Sequence, residues 1–298
     1  MPQLAANGLQ LEVETLGDRA HPAVLLIMGL GMQLIAWPES LCQELVAAGF
    51  FVIRFDNRDI GLSEKIESAR RVNLATAALR YFLRLPVSAP YRIETMADDA
   101  IGVLDALGID KAHIVGVSLG GMIAQSLVAE HPQRCLSLSS IMSASGDRRM
   151  PTASLRISRL LMARPARNAK FEVLVEHFVR LFTAIGSPAF PTPPALMRER
   201  MRANLQRSYY PAGTARQLLA IVASGDRSAA LRRIRRPTLV VHGDADPLVP
   251  VANGVDCARK IPGASLRIIP GMGHDLASGL LPILGDALRT HLHANNPN

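Results

Sequence analysis

Lys111 to Ala129, KAHIVGVSLGGMIAQSLVA, constrains this chain more than any other stretch. His113 to Val117 is a short, β-branched apolar run, and after Gly116-Val117-Ser118-Leu119-Gly120 the apolar residues recur with helical spacing. The segment therefore predicts a strand, a sharp turn and a helix. So tight a turn forces its middle residue into a strained backbone conformation and needs small neighbours where strand and helix cross. Gly116, Gly120 and Gly121 supply them. The Ser118 hydroxyl is thereby held in the open, at the carboxyl end of a strand and the positive end of a helix dipole. It is a candidate nucleophile, whereas the plainer reading makes it a helix cap.

Around this segment, runs with strand and helix character alternate, which predicts a mostly parallel sheet flanked by helices. Leu9–Val13 alternates and predicts an edge strand, and Ala23–Met28 is a continuous apolar run suited to a strand covered on both faces. Gly29-Leu30-Gly31 follows as a loop whose backbone N–H groups can approach a ligand. A helix over Glu39–Ala48, a strand over Phe50–Phe55 and a helix over Ile93–Gly108 come next. The polar loop Asp56–Ser63, DNRDIGLS, suits loop bracing as well as chemistry, and Ile66 to Tyr91 is an apolar, basic stretch that predicts a packed surface helix, with lining an entrance or touching a membrane as the alternative. Cys135–Ala144 is a further strand.

From Gly146 to Ala230 the composition shifts to Arg, Met and Pro with helical spacing, broken at Ser187–Pro194. We read residues 146–230 as a helical cap and residues 1–145 with 231–298 as the α/β core. The core resumes at Pro237, with a helix over Val251–Lys260, a strand over Ser265–Ile269 and a last helix near Leu280–Leu292.

Charge follows the same division. Arg148 to Arg236 holds 17 Arg and one Lys against four acids, a net of +14, which leaves −6 for the rest of a chain whose formal charge is +8. Solvated faces of amphipathic helices account for this most simply, with steering of anionic substrates or contact with an anionic membrane surface as the alternatives. Neither aromatic interleaving nor a zinc-finger or helix-turn-helix pattern points to nucleic acid. Cys42, Cys135 and Cys257 are widely separated in apolar settings, as reduced core thiols are, and no spacing of His or Cys implies a metal. The opening residues resemble neither a signal nor a transit peptide, and the apolar runs are too short to span a bilayer, so a cytoplasmic protein is expected.

A serine hydroxyl needs a base within hydrogen-bond reach, and the base needs an acid to orient it. Asp246, after the strand Leu239–Val241 in HGDADPLVP, and His274, in IPGMGHD after the next strand, are the candidates. Asp244 is the rival acid. His242 lies too near its strand to reach over the sheet and is expected to bond locally, and Asp275 is read as a turn or capping residue. His113, His131 and His177 are read as structural. Backbone N–H groups of Leu119 and Leu30 are the candidate donors to a developing oxyanion.

With these residues assembled, the chain resembles the α/β-hydrolase superfamily over nearly its whole length. The likeness rests on MGLG (Met28–Gly31), DNRDIGLS, GVSLGG (Gly116–Gly121), HGDADPLVP and PGMGH. Within that superfamily it is most similar to capped carboxylic ester hydrolases of the aclacinomycin methylesterase kind, which share the Met-Gly loop and a pair like Trp37-Pro38. Met28 stands where many members have His. The resemblance implies cofactor-free, metal-free hydrolysis of a small-molecule ester through an acyl-enzyme on Ser118. Serine at 118 argues against the related dehalogenases and epoxide hydrolases, which need aspartate there. Thioester or C–C hydrolysis, perhydrolysis of the cofactor-free haloperoxidase type, a non-catalytic ligand receptor and a surface-active lipase are alternatives on the same fold.

Overall fold

A computed structural model describes residues 3–66, 74–163, 165, 166 and 168–296 of the chain. Its strands are β1 (Gln3–Ala6), β2 (Leu9–Leu16), β3 (Ala23–Ile27), β4 (Phe51–Phe55), β5 (Ala112–Val117), β6 (Cys135–Ile141), β7 (Thr238–Gly243) and β8 (Ser265–Ile269). They form one sheet in the order β1-β2-β4-β3-β5-β6-β7-β8. The pairs β1/β2 and β2/β4 are antiparallel and the others parallel. This is the α/β-hydrolase arrangement expected, with one correction at its margin. Leu9–Val13 belongs to a longer strand one place in from the edge, and the edge itself is β1, joined to β2 by a turn in which Asn7 and Gly8 both have positive φ, 49° and 76°. That is the backbone an Asn-Gly hairpin turn requires.

Helices α1 (Glu39–Ala47), α2 (Leu74–Phe82), α3 (Ile93–Ala106) and α4 (Leu119–Glu130) precede or alternate with the parallel strands, and α10 (Ala252–Lys260) and α11 (Leu281–His293) complete the pattern. Between β6 and β7 lie α5 (Leu155–Met162), α6 (Phe171–Ile185), α7 (Pro194–Arg207), α8 (Pro211–Ser224) and α9 (Ser228–Leu231), with no strand among the described residues of that stretch. The period-two pleat sorts β3 between two cores. Leu25 and Ile27 face α3 and α4, whereas Val24 and Leu26 face α1 and α11. Both faces are covered, which explains why the strand reads as unbroken apolar sequence, and each fully buried Leu or Ile contributes about 1.5–3 kcal/mol.

The stretch from Ile66 to Tyr91 is only partly described, since residues 67–73 lie outside the described residues. Within it α2 packs through Ala77, with Val87 beyond it, against Leu219 of α8 and leaves Leu79, Phe82, Leu83 and Leu85 exposed, so it packs less fully than its sequence suggests. No helix among the described residues is long and apolar enough to cross a membrane. All three cysteines are buried and free, and burial pushes the Cys42 thiol up to about 11 and those of Cys135 and Cys257 up to about 12.

His113 on β5 is structural, as expected. Its Nε2–H donates to Asn296 Oδ1 at 2.7 Å, and Nδ1 accepts from Ser137 Oγ at 2.8 Å. Burial lowers its pKa from 6.5 to about 4. The unfolded chain therefore binds more protons between those values, so stability held by the neutral ring is complete above pH 6.5 and lost as pH falls toward 4. The loss amounts to at most about 3 kcal/mol. Urea midpoints measured across that range are expected to fall less steeply with acidification in His113→Gln than in the wild type; parallel curves would refute the assignment.

Candidate active site

Parallel strands deliver their following loops to one edge of the sheet, the edge where open α/β sheets bind ligands. Ser118 follows β5 with φ 55° and ψ −118°, a conformation that costs a non-glycine residue on the order of 1–3 kcal/mol. The surroundings hold it there. Ser118 N–H donates to Ile141 O of β6 at 2.9 Å, and its carbonyl accepts from Met122 N–H at 3.1 Å and from Ser143 Oγ at 2.8 Å. The flanking glycines are sterically required: a Cβ on Gly116 would lie 2.1 Å from Gly120 O, and one on Gly120 would lie 2.0 Å from Ile27 O. A Cβ on Gly121 would stand 2.6 Å from that of Ser143. The helix-cap alternative finds no support, since the Ser118 side chain makes no cap bond to α4.

His274 reaches the same place from the loop after β8. Its Nε2 accepts from Ser118 Oγ–H at 3.0 Å and its Nδ1–H donates to Asp246 Oδ2 at 2.7 Å. A carboxylate can only accept, so Asp246 fixes the ring tautomer and leaves Nε2 free to take a proton. The His274 backbone is pinned as well, its N–H donating to Ile185 O of α6 at 2.7 Å. Asp246 divides its oxygens: Oδ1 accepts the Leu248 and Val249 N–H groups at 2.9 and 2.8 Å, and Oδ2 serves His274. Burial alone would raise its pKa, but the His274 ring beside it, with His242 Nε2 3.6 Å from Oδ2 and the hydrogen bonds from His274 and Val249 N–H, outweighs burial and holds the carboxyl well below the usual range.

The rival residues fall elsewhere. Asp244 is exposed and accepts from Gly271 N–H at 2.6 Å, bracing the loop that carries His274. His242 bonds locally, Nε2–H to Val249 O at 2.7 Å. Asp275 caps nothing in its own segment; its Oδ1 accepts the Ser187 N–H at 3.1 Å and the Ser187 hydroxyl, tying the end of α6 to the His274 loop. His131 lies at the surface 3.3 Å from Asp98, and His177, read from sequence as structural, instead faces the cavity described below.

The loop after β3 runs beside Ser118, since a Cβ on Gly29 would stand 3.3 Å from the Ser118 Cβ. The Leu30 N–H donates to no protein acceptor among the described residues, and Leu119 opens α4. Gln217, fully buried on α8, holds this loop: its Oε1 accepts Gly31 N–H at 3.0 Å and its Nε2 donates to Arg58 O at 3.1 Å. Nothing in the local sequence distinguishes Gln217, because its role arises only where a distant helix lies over the loop. The DNRDIGLS loop does brace. Asp56 accepts from Leu34 N–H, Leu62 N–H and Arg207, and Asn57 Nδ2 donates to Met28 O at 2.9 Å.

Above Ser118 opens a cavity of about 1210 Å³. Ser118, His274, Leu30 and Leu119 line its floor, and apolar side chains from α6, α7 and α8, among them Phe178, Leu181, Met197 and Met201, line the remainder. Sites for drug-sized ligands run to roughly 1,000 Å³, so the space admits a bulky molecule. The only side-chain group among the described residues with metal-ligand proximity is Asp98, Glu130 and His131, none of which lines this cavity.

Comparison with known proteins agrees with the fold. Residues 22–277 match the family described as alpha/beta hydrolase fold, and the chain belongs to it. Among individual relatives, the chain is 30% identical over 301 residues to rhodomycin D methylesterase DauP of Streptomyces sp. (strain C5), with 94% of each chain covered. It is 29% identical over 303 residues to rhodomycin D methylesterase DnrP of Streptomyces peucetius, again with 94% of each covered. The resemblance to methyl esterases therefore holds. A solved structure, the meta-cleavage product hydrolase of Pseudomonas fluorescens IP01, superposes with a TM-score of 0.76 at 19% identity over 99% of this chain and 98% of its own, a likeness of fold.

Proposed function

We propose that the protein is a serine carboxylic ester hydrolase. Ser118 is the nucleophile, His274 the general base and acid, and Asp246 the residue that orients it. The observation that carries the reading is the unbroken series of hydrogen bonds from Ser118 through His274 to Asp246 at the floor of the cavity. Ser118 Oγ attacks the ester carbonyl carbon as Nε2 of His274 takes its proton, giving a tetrahedral oxyanion and an imidazolium beside the Asp246 carboxylate. The N–H groups of Leu30 and Leu119 receive the oxyanion, each donor contributing about 3–4 kcal/mol to the transition state. Collapse breaks the bond to the alkoxy group, which leaves as the alcohol with the proton from His274. Water then attacks the acyl-enzyme by the same steps, releasing the acid and restoring Ser118.

Residues 146–230 act in this scheme as a helical cap, and the apolar lining they contribute to the cavity supports an ester with a large apolar body. The names of the two relatives above support a methyl ester. Active-site labelling with a fluorophosphonate is the direct test: a single adduct on Ser118, located by peptide mass spectrometry and missing in Ser118→Ala, is expected. Absence of an adduct in the wild type defeats the reading.

A further inference from the structure

The cavity-facing stripe of α6 runs Leu174, His177, Phe178, Leu181, Phe182 and Ile185, at spacings that keep one helix face toward the space above Ser118. Every member but one is apolar. His177 is 8% exposed, its ring meets Phe178 edge-on at 5.3 Å, and neither ring nitrogen has a hydrogen-bond partner among the described residues. The other charged and imidazole side chains in the cavity wall are all engaged: Glu39 with Arg54, Arg200 with Ser278, Asp275 with Ser187, and His274 with Ser118 and Asp246. Trp37 Nε1 and Thr192 Oγ1 also lack partners, but each is sealed from the cavity surface. The His177 ring nitrogens, by contrast, are not sealed, so they are open to a hydrogen bond from a ligand in the cavity.

The helix also sets a distance. Ile185 O holds the His274 backbone, and His177 stands eight residues back along α6, which at 1.5 Å per residue is about 12 Å. We propose that His177 is a specificity-determining residue that hydrogen-bonds a hydroxyl group carried by the apolar body of the ester, on the order of 10 Å from the scissile carbonyl. A hydroxyl both donates and accepts, so it suits the neutral ring in either tautomer. Burial, with Arg180 nearby, lowers the His177 pKa and favours that neutral form. The substrate class is then an ester with a bulky apolar body that carries a hydroxyl group. This rests on the esterase reading above, and it adds where along the molecule a polar group is recognised.

The test compares methyl 4′-hydroxybiphenyl-4-carboxylate, whose hydroxyl lies about 10 Å from the ester carbon by ordinary covalent lengths, with methyl biphenyl-4-carboxylate. The ratio of their kcat/KM values is expected to fall about tenfold from wild type to His177→Phe, which keeps the ring packing and removes both nitrogens. The change should lie in KM, because the bond is made equally in ground and transition states. His177→Asn, which keeps a donor and an acceptor, should recover part of the ratio. A ratio that stays within twofold of wild type in His177→Phe overturns the proposal. Should no ester be turned over at all, the esterase reading fails separately. The recognition is then read by binding of the same two esters to Ser118→Ala through fluorescence of the single tryptophan, Trp37, which lines the cavity. There a tenfold preference for the hydroxylated ester, lost on adding His177→Phe, supports it, and equal binding overturns it.

Discussion

Asp246→Asn is expected to lower kcat by roughly four orders of magnitude, about 5.5 kcal/mol, while changing KM little and leaving the fold intact. The size and selectivity follow from how the carboxylate is divided. Oδ1 accepts from Leu248 and Val249 N–H, and an asparagine amide oxygen in that position keeps both bonds, so the loop after β7 stays where it is. The amide nitrogen then occupies the place of Oδ2, 2.7 Å from His274 Nδ1, and donates to it. That forces the proton onto Nε2, which can no longer accept from Ser118. The ring is in place but in the wrong tautomer. Asp246→Ala makes the contrast: it strands two buried N–H groups at about 1–3 kcal/mol each and is expected to lower the urea midpoint as well as the rate. Steady-state kinetics and urea unfolding on the two variants separate chemistry from folding. Activity of Asp246→Asn within tenfold of wild type would mean that some other group orients the imidazole.

The residues that converge on Ser118 were legible because each belongs to a local pattern with a steric reason. Gly116, Gly120 and Gly121 admit no Cβ, and an apolar run before a loop marks each strand end. The chain order Ser118, Asp246, His274 needed only the βα alternation to place all three at one edge. What escaped was mostly non-local. Gln217 and Arg216 act on a loop more than 150 residues away, and their helix looks like any other amphipathic segment. His177 looks structural from its sequence because nothing local says which face of α6 meets an open space. One miss was avoidable: Asn7-Gly8 between alternating residues is a hairpin signal, and it marks β1 as the edge strand. Charge gave a coarser clue. An arginine-rich stretch inserted in an acidic body suggested solvated helices, which fits Arg198 and Arg202, paired at the surface with Glu176 and Glu172. It fails for Arg207, Arg216 and Arg227, whose side chains are largely or wholly buried, the first two against the aspartates of DNRDIGLS.

The Arg216 clamp supports the second large effect. Arg216 of α8 grips Asp59 with two bonds, Nε–H to Oδ2 at 2.8 Å and Nη2–H to Oδ1 at 2.6 Å, and the same carboxylate accepts from Tyr91 Oη at 2.8 Å and Ile66 N–H at 2.8 Å. Burial would raise the Asp59 pKa, but Arg216 and these donors overcome it and hold the carboxyl below its ordinary value. Arg216→Met leaves that charge buried without its cation and is expected to cost about 3–5 kcal/mol, a large share of a typical domain's 5–15 kcal/mol. Adding Asp59→Asn should recover much of the loss, since the amide oxygen keeps a bond and the charge is gone. The pH dependence has a definite sign. Wild type holds the stabilisation from Asp59 above the ordinary carboxylate range and loses it as pH falls below. In Arg216→Met the stranded carboxyl takes up a proton more readily, so the gap between the two proteins should narrow from pH 7 toward pH 4. Equal urea midpoints at pH 7 would show that the clamp contributes nothing. The next residue along α8 is Gln217, which holds Gly31 N–H and with it the loop that carries Leu30. Loosening α8 is therefore expected to reduce kcat as well as stability, and both should return together in the double variant if one helix both docks the proposed cap and sets the oxyanion site.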